Sequence, residues 1–118
     1  MHNESILLAQ KIYHILDNKK LDDIQVLDVH EITTLADIFI IVTGSNTRQT
    51  KALVDELEDA LSEENIEVIQ KEGYQTANWI LMDYGNVIVH VLYKEDAEFY
   101  GLDRLCLLYT YDAADERS

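Results

Sequence analysis

Residues 79–93 read WILMDYGNVIVHVLY, two apolar runs on either side of Gly85-Asn86. That pair suits a two-residue hairpin loop, so the stretch is expected to form two antiparallel strands. With this turn Tyr84 faces Val87, Met82 faces Val89 and Ile80 faces Val91, and the side chains alternate between two sheet faces. The first face is apolar apart from the Tyr84 hydroxyl at its rim and belongs under helices. The second carries Trp79, Leu81, Asp83, Ile88, His90 and Leu92. An aspartate and a histidine are costly in a sealed core, whereas the same mixture suits a sheet face left open in the monomer, with a tryptophan anchoring a partner. The competing expectation is that a C-terminal helix covers this face and Asp83 meets His90 internally.

Upstream, Leu8, Ile12, Ile15 and Leu16 fall on one face of a helix expected over about residues 4–19, whose end "NKK" suits the negative end of the dipole. "DIQVLDV" reads as a strand, with Ile24, Val26 and Asp28 on one side and Gln25, Leu27 and Val29 on the other. "HEITTLAD" is a polar connection. "IFIIVT", residues 38–43, is a continuous apolar, β-branched run and therefore a central strand. Gly44 stops it, and Ser45, Asn46 or Thr47 is placed to cap a second helix carrying Leu53, Leu57, Ala60 and Leu61, up to about residue 64. "IEVIQ" reads as a short strand, "KEGYQTA" as a loop, and "EDAEFYGLDRL" as a closing helix weakened by Gly101. The chain has no repeats, no linkers and no prolines. The order α-β-β-α-β-β-β-α describes an α/β fold, a mixed sheet of about five strands with flanking helices.

A chain of 118 residues makes one domain with a real core. No apolar run approaches a membrane span, and the start "MHNESILLAQK" lacks the features of a secretion signal. A single cysteine, Cys106, fits a reducing compartment, so the expected location is the cytoplasm. Twenty-three acids against nine Lys/Arg give a net charge of −14 and a pI near 4.4. Such a surface disfavours direct nucleic-acid binding and attracts basic partners, although acidity also serves solubility alone. The last thirteen residues, "CLLYTYDAADERS", follow Leu105 abruptly and resemble the conceptual translation of a transposase-type sequencing adaptor. The expected division is therefore a domain over 1–105 and a non-native or disordered tail over 106–118. Residues 1–105 keep a charge of −12 (20 acids against 8 bases).

Catalytic signals are weak. Gly44-Ser45 at a helix start resembles the phosphate-cradling turn of nucleotidyltransferases, but those enzymes need paired acids on a neighbouring strand to hold magnesium. "IEVIQ" offers only Glu67. His2, His14, His30 and His90 show no close metal-ligand spacing, and Asp28 with His30 has no third ligand. Nothing local activates a nucleophile, although Ser45 with a distant His90 stays open.

"LADIFIIVTGSNTRQTKALVDEL", "NWILMDYGNVIVHVL" and "EFYGLDRL", in this order and spacing, strongly resemble the ribosomal silencing factor family, RsfS or Iojap, over about residues 5–105. The resemblance implies a non-enzymatic factor with no cofactor or metal and a nucleotidyltransferase-like fold without the catalytic acids. It implies binding to the large ribosomal subunit through the ribosomal protein numbered fourteen, a block on small-subunit joining when nutrients are short, and a homodimer when free. Trp79, Asp83, Tyr84, Gly85, Asn86 and His90 match the hairpin signature. Gly44, Ser45 and Arg48 match the strand-helix signature, and Phe99, Tyr100 and Leu105 the closing helix. The expected partner-binding set is Trp79, Leu81, Asp83, Tyr84, Gly85, Asn86, His90 and Arg48. The family usually follows the closing "RL" with a tryptophan, where this chain has Cys106, and Asn46 and Asn86 replace the more usual Ser/Thr and Asp. A residual nucleotide-binding domain and a plain dimerisation module are the competing functions.

Overall fold

The computed structural model describes residues 2–19 and 23–94. In chain order the elements are α1 (His2–Asp17), β1 (Asp23–Asp28), β2 (Ile38–Gly44), α2 (Thr47–Ser62), β3 (Gln70–Glu72), β4 (Trp79–Asp83) and β5 (Val87–Tyr93). The closing helix expected over 95–105 and the tail 106–118 lie outside the described residues.

One five-stranded sheet runs in the order β1-β2-β5-β4-β3. Its centre is the parallel pair β2·β5, with Ile40 beside Val89 and Ile41 beside His90; the other neighbours are antiparallel. Among the described residues this is a mixed sheet with two helices, the α/β class expected. β2 is buried on both faces, which explains its unbroken apolar run, whereas the antiparallel strands alternate. Ile38, Ile40, Val42, Val87, Val89, Val91, Ile80 and Met82 point to one side, where Ile12 and Leu16 of α1 and Leu53, Val54, Leu57 and Leu61 of α2 close the main core. A smaller cluster on the other side joins Leu27, Val29, Ile41 and Leu92, with Phe39 and Trp79 packed against it.

The helix ends have local causes. Asn46 is the N-cap of α2: its side chain accepts from the Gln49 N–H at 2.8 Å. Asn65, at φ +66°, turns the chain so that the Ile66 N–H closes on the Leu61 carbonyl at 2.9 Å. α1 ends two residues before the expected point, where the Asn18 amide donates to the His14 carbonyl. At the other end of α1 the buried Ser5 hydroxyl donates to Asp37 at 2.6 Å and ties the helix to the start of β2.

The hairpin has the expected register, Ile80 with Val91 and Met82 with Val89. Gly85 sits at φ +94°, and the Tyr84 N–H reaches the Val87 carbonyl at 3.0 Å. A positive φ at the first turn residue only makes a II′-type turn, which matches the twist of the flanking strands. The expected strand at "IEVIQ" is corrected: β3 begins at Gln70, so Ile66 to Ile69 approach the sheet and only three residues join it. The cause is geometric. Ile66 closes the end of α2, and the first ladder contact comes when the Ile69 N–H reaches the Asp83 carbonyl at 2.7 Å.

Candidate functional site

On the second sheet face the tryptophan and the histidine meet. Alternation along β4 and β5 brings Trp79, Leu81, Asp83, Ile88, His90 and Leu92 to that face, with Leu81 directly opposite His90. The Trp79 indole N–H donates to His90 Nδ1 at 3.2 Å. Phe39, on the neighbouring β2, packs edge-on against the imidazole with ring centroids 4.9 Å apart. Accepting through Nδ1 requires the proton on Nε2, and Nε2 is buried with no hydrogen-bond partner among the described residues. Burial lowers the His90 pKa to about 4, so the ring is neutral at physiological pH. It serves as the acceptor that orients the indole.

Exposure over this face is uneven. Leu92 and Ile88 are buried, whereas Trp79, Leu81, Asp83 and His90 are half-buried. Beside Trp79 lies a recess of about 260 Å³ lined by Glu72, Gly73, Trp79 and Leu81. Gly73 is required there. Its φ is +80°, and a Cβ would stand 2.1 Å from the Trp79 carbonyl oxygen. An apolar wall with a carboxylate at its rim suits a partner side chain that is apolar along its stem and cationic at its tip.

Asp83 does not meet His90: it lies opposite Ile88, and its carboxylate accepts the Gly85 N–H at 2.7 Å. It braces the hairpin turn. The Asn86 carbonyl accepts from Asp37 and Ile38 N–H at 2.9 and 3.2 Å, fastening the turn to the start of β2. Tyr84 lies on the helix side of the sheet. It is only 7% exposed, and its hydroxyl is buried without a hydrogen-bond partner among the described residues. Arg48 is exposed in the first turn of α2, beside Asn46 and Thr47. It belongs to the Trp79 end of the sheet, because the Thr50 hydroxyl donates to the Ala77 carbonyl at 2.9 Å. The turn residues Gly85 and Asn86 are at the opposite end, about 20 Å along the strands. The expected set therefore separates into a Trp79–Leu81–His90 group, a turn group, an inward Tyr84 and a helix-start Arg48. Phe99, Tyr100 and Leu105 lie outside the described residues. Phe39 was missing from the set, although its odd position in "IFIIVT" carried the signal once that strand is paired with β5.

The Gly44-Ser45 turn is engaged from within. The Ser45 N–H donates to Gln49 Oε1 at 2.6 Å, so the side chain of the helix's own first turn occupies the place of a phosphate oxygen. Glu67 lies outside any strand and accepts from Ser62 at 2.8 Å. Asp28 and His30 do pair, at 2.5 Å, on an exposed surface. Among the described residues no three His, Cys, Asp or Glu side chains converge as metal ligands, and no helix is long and apolar enough to cross a membrane.

These features define a small α/β domain whose distinctive surface is an aromatic-histidine sheet face. A sequence model of the family "Ribosomal silencing factor during starvation" matches residues 2–117. A ribosomal silencing factor RsfS from Halalkalibacterium halodurans is 35% identical over 89% of this chain and 88% of its own length. The crystal structure of a protein from Chromobacterium violaceum superposes with a TM-score of 0.78 at 30% identity, over 85% of this chain and 83% of that one. A more distant mouse relative, named mitochondrial assembly of ribosomal large subunit protein 1, is 28% identical over 83% of this chain and 44% of its own length. The chain belongs to the ribosomal silencing factor family.

Proposed function

We propose that this protein is a translation repressor of the cytoplasm that docks on the large ribosomal subunit and blocks subunit joining by its bulk, without catalysis or cofactor. The observation that carries this reading is the Trp79 indole, held by His90 beside an apolar recess with Glu72 at its rim. An oriented, half-buried tryptophan is the usual anchor of a protein interface. The name of the mouse relative, with its large-subunit assembly, supports the choice of subunit. The partner is a basic ribosomal protein, the one numbered fourteen, toward which a chain of net charge −14 is steered electrostatically. Leu81, Asp83, Tyr84, Gly85, Asn86, His90 and Arg48 complete the docking set, Asp83 and Asn86 by shaping the hairpin and Tyr84 from beneath it. The fold is nucleotidyltransferase-like with its catalytic acids gone, and the free protein is a homodimer.

The test is co-sedimentation of the chain with isolated large subunits, wild type beside Trp79→Ala, with circular dichroism to verify folding. A folded Trp79→Ala variant is expected to bind about tenfold or more weakly. It should also fail to inhibit association of the two subunits in light scattering. Undiminished binding by Trp79→Ala would overturn this assignment of the face. If the variant instead became monomeric yet bound normally, the face would be the self-interface.

A further inference from the structure

We propose that the opposite edge of the sheet, strand β1 with the groove beside it, receives an extended basic and apolar segment of a partner protein as a sixth strand. Among the described residues β1 pairs only with β2. The Val29 N–H donates to the Asp37 carbonyl, so in the antiparallel alternation Leu27 and Gln25 direct their backbone groups to β2, and Ile24 and Val26 direct theirs outward. Between α1 and β1 runs a groove of about 300 Å³, lined by Ile6, Ala9, Tyr13, Val26 and Ile38, with Asp28 at one end. Ile6 and Tyr13 are each 37% exposed and Val26 is 45% exposed, which gathers three large apolar side chains in one cleft. An added strand about 4.8 Å beyond β1 would set alternate side chains against them.

Charge selects the occupant. Exposed aspartates begin and end the strand, Asp23 and Asp28. His30 lies against Asp28 but also has Glu31 at 3.5 Å, so that corner stays net negative. The two described lysines of the α1 region cannot neutralise the rim, because Lys11 pairs with Glu64 and Lys19 with Glu56, on the α2 side. A second copy is the wrong occupant. Antiparallel pairing of β1 with itself would bring edge to edge two strands that each begin and end in an aspartate and carry no basic residue, so the two copies repel. The fitting segment has basic residues at both ends and apolar residues at alternate positions between them. This surface lies three strands away from β4 and on the helix side, so it does not depend on the docking role of Trp79.

The probe is the acetylated, amidated peptide Lys-Thr-Val-Thr-Val-Lys, with Glu-Thr-Val-Thr-Val-Glu as its counterpart, titrated into the isotope-labelled full chain at low salt. Amide shifts are expected along β1 and the facing turns of α1, with the basic peptide bound about tenfold more tightly than the acidic one. Raising the salt to about 0.5 M should weaken binding several-fold. Val26→Lys should abolish it with the fold intact, Tyr13→Ala should weaken it, and Asp28→Lys should narrow or reverse the preference. Three results would overturn the proposal: no β1 shifts with millimolar basic peptide, equal binding of both peptides, or self-association through β1 that Val26→Lys removes.

Discussion

His90 links the candidate docking face to the pH dependence of stability. Its ring accepts a hydrogen bond in the folded chain and is held at a pKa of about 4, against an ordinary 6.5. Between those values the unfolded chain binds the proton and the folded chain does not, so stability falls as pH drops from about 6.5 to about 4 and is fully present above that range. Urea unfolding of wild type and His90→Phe at pH 7 and 4.5 measures the effect. Wild type is expected to lose roughly 2 kcal/mol more than the variant over that interval; equal losses would mean that His90 is not buried as a neutral ring. Tyr84 gives the opposite kind of test. Its hydroxyl is buried with no hydrogen-bond partner among the described residues and burial raises its pKa, so it gains nothing from its oxygen. Tyr84→Phe should leave the free energy of unfolding unchanged or raise it by up to about 1 kcal/mol. A loss greater than that would reveal a hydrogen bond worth keeping.

Elements differ in how far their own residues specify them. The hairpin was legible because Gly85-Asn86 and period-two alternation name a turn and a register together, and β2 because its apolar run is buried on both faces. The strand expected at "IEVIQ" shows the limit. Alternating Ile66, Val68 and Gln70 resemble a strand, yet Ile66 finishes the end of α2, and pairing starts only at Gln70. The tight connection after β3 has a measurable consequence. At Gly73 a side chain would be strained by the positive φ and would collide with the Trp79 backbone at 2.1 Å. Gly73→Ala should cost about 2–3 kcal/mol in denaturant unfolding. If it also displaces Trp79, the intrinsic tryptophan fluorescence will shift, since Trp79 is the only tryptophan in the chain. Unchanged stability and emission would mean that the connection can relax without the glycine.

For the whole molecule, charge is the dominant long-range term. At −14 the chain repels itself, and added salt screens that repulsion. Raising sodium chloride from about 0.02 to about 0.5 M should therefore raise the melting temperature by a few degrees. Over the same range it should weaken association with a basic partner. A melting temperature that falls with salt would show that attractive ion pairs such as Lys71–Glu58, 2.7 Å apart, outweigh the net repulsion.

Local pattern determined most of the chain's architecture: two amphipathic helices, a central apolar strand, the hairpin and its two faces, and an acidic surface. These follow from periodicity, turn chemistry and composition, which act over a few residues or over the whole chain without regard to contacts. Tertiary structure decided the order of strands, and with it every relation between distant residues. Parallel pairing of β2 with β5 brought Phe39 to the imidazole of His90. Strand register put Asp83 opposite Ile88, leaving its carboxylate to brace the turn rather than the histidine. The Gln49 side chain filled the Ser45 turn that resembled a phosphate cradle. Such outcomes depend on which strands become neighbours and which groups reach a donor first, and those distances exist only once the sheet has formed.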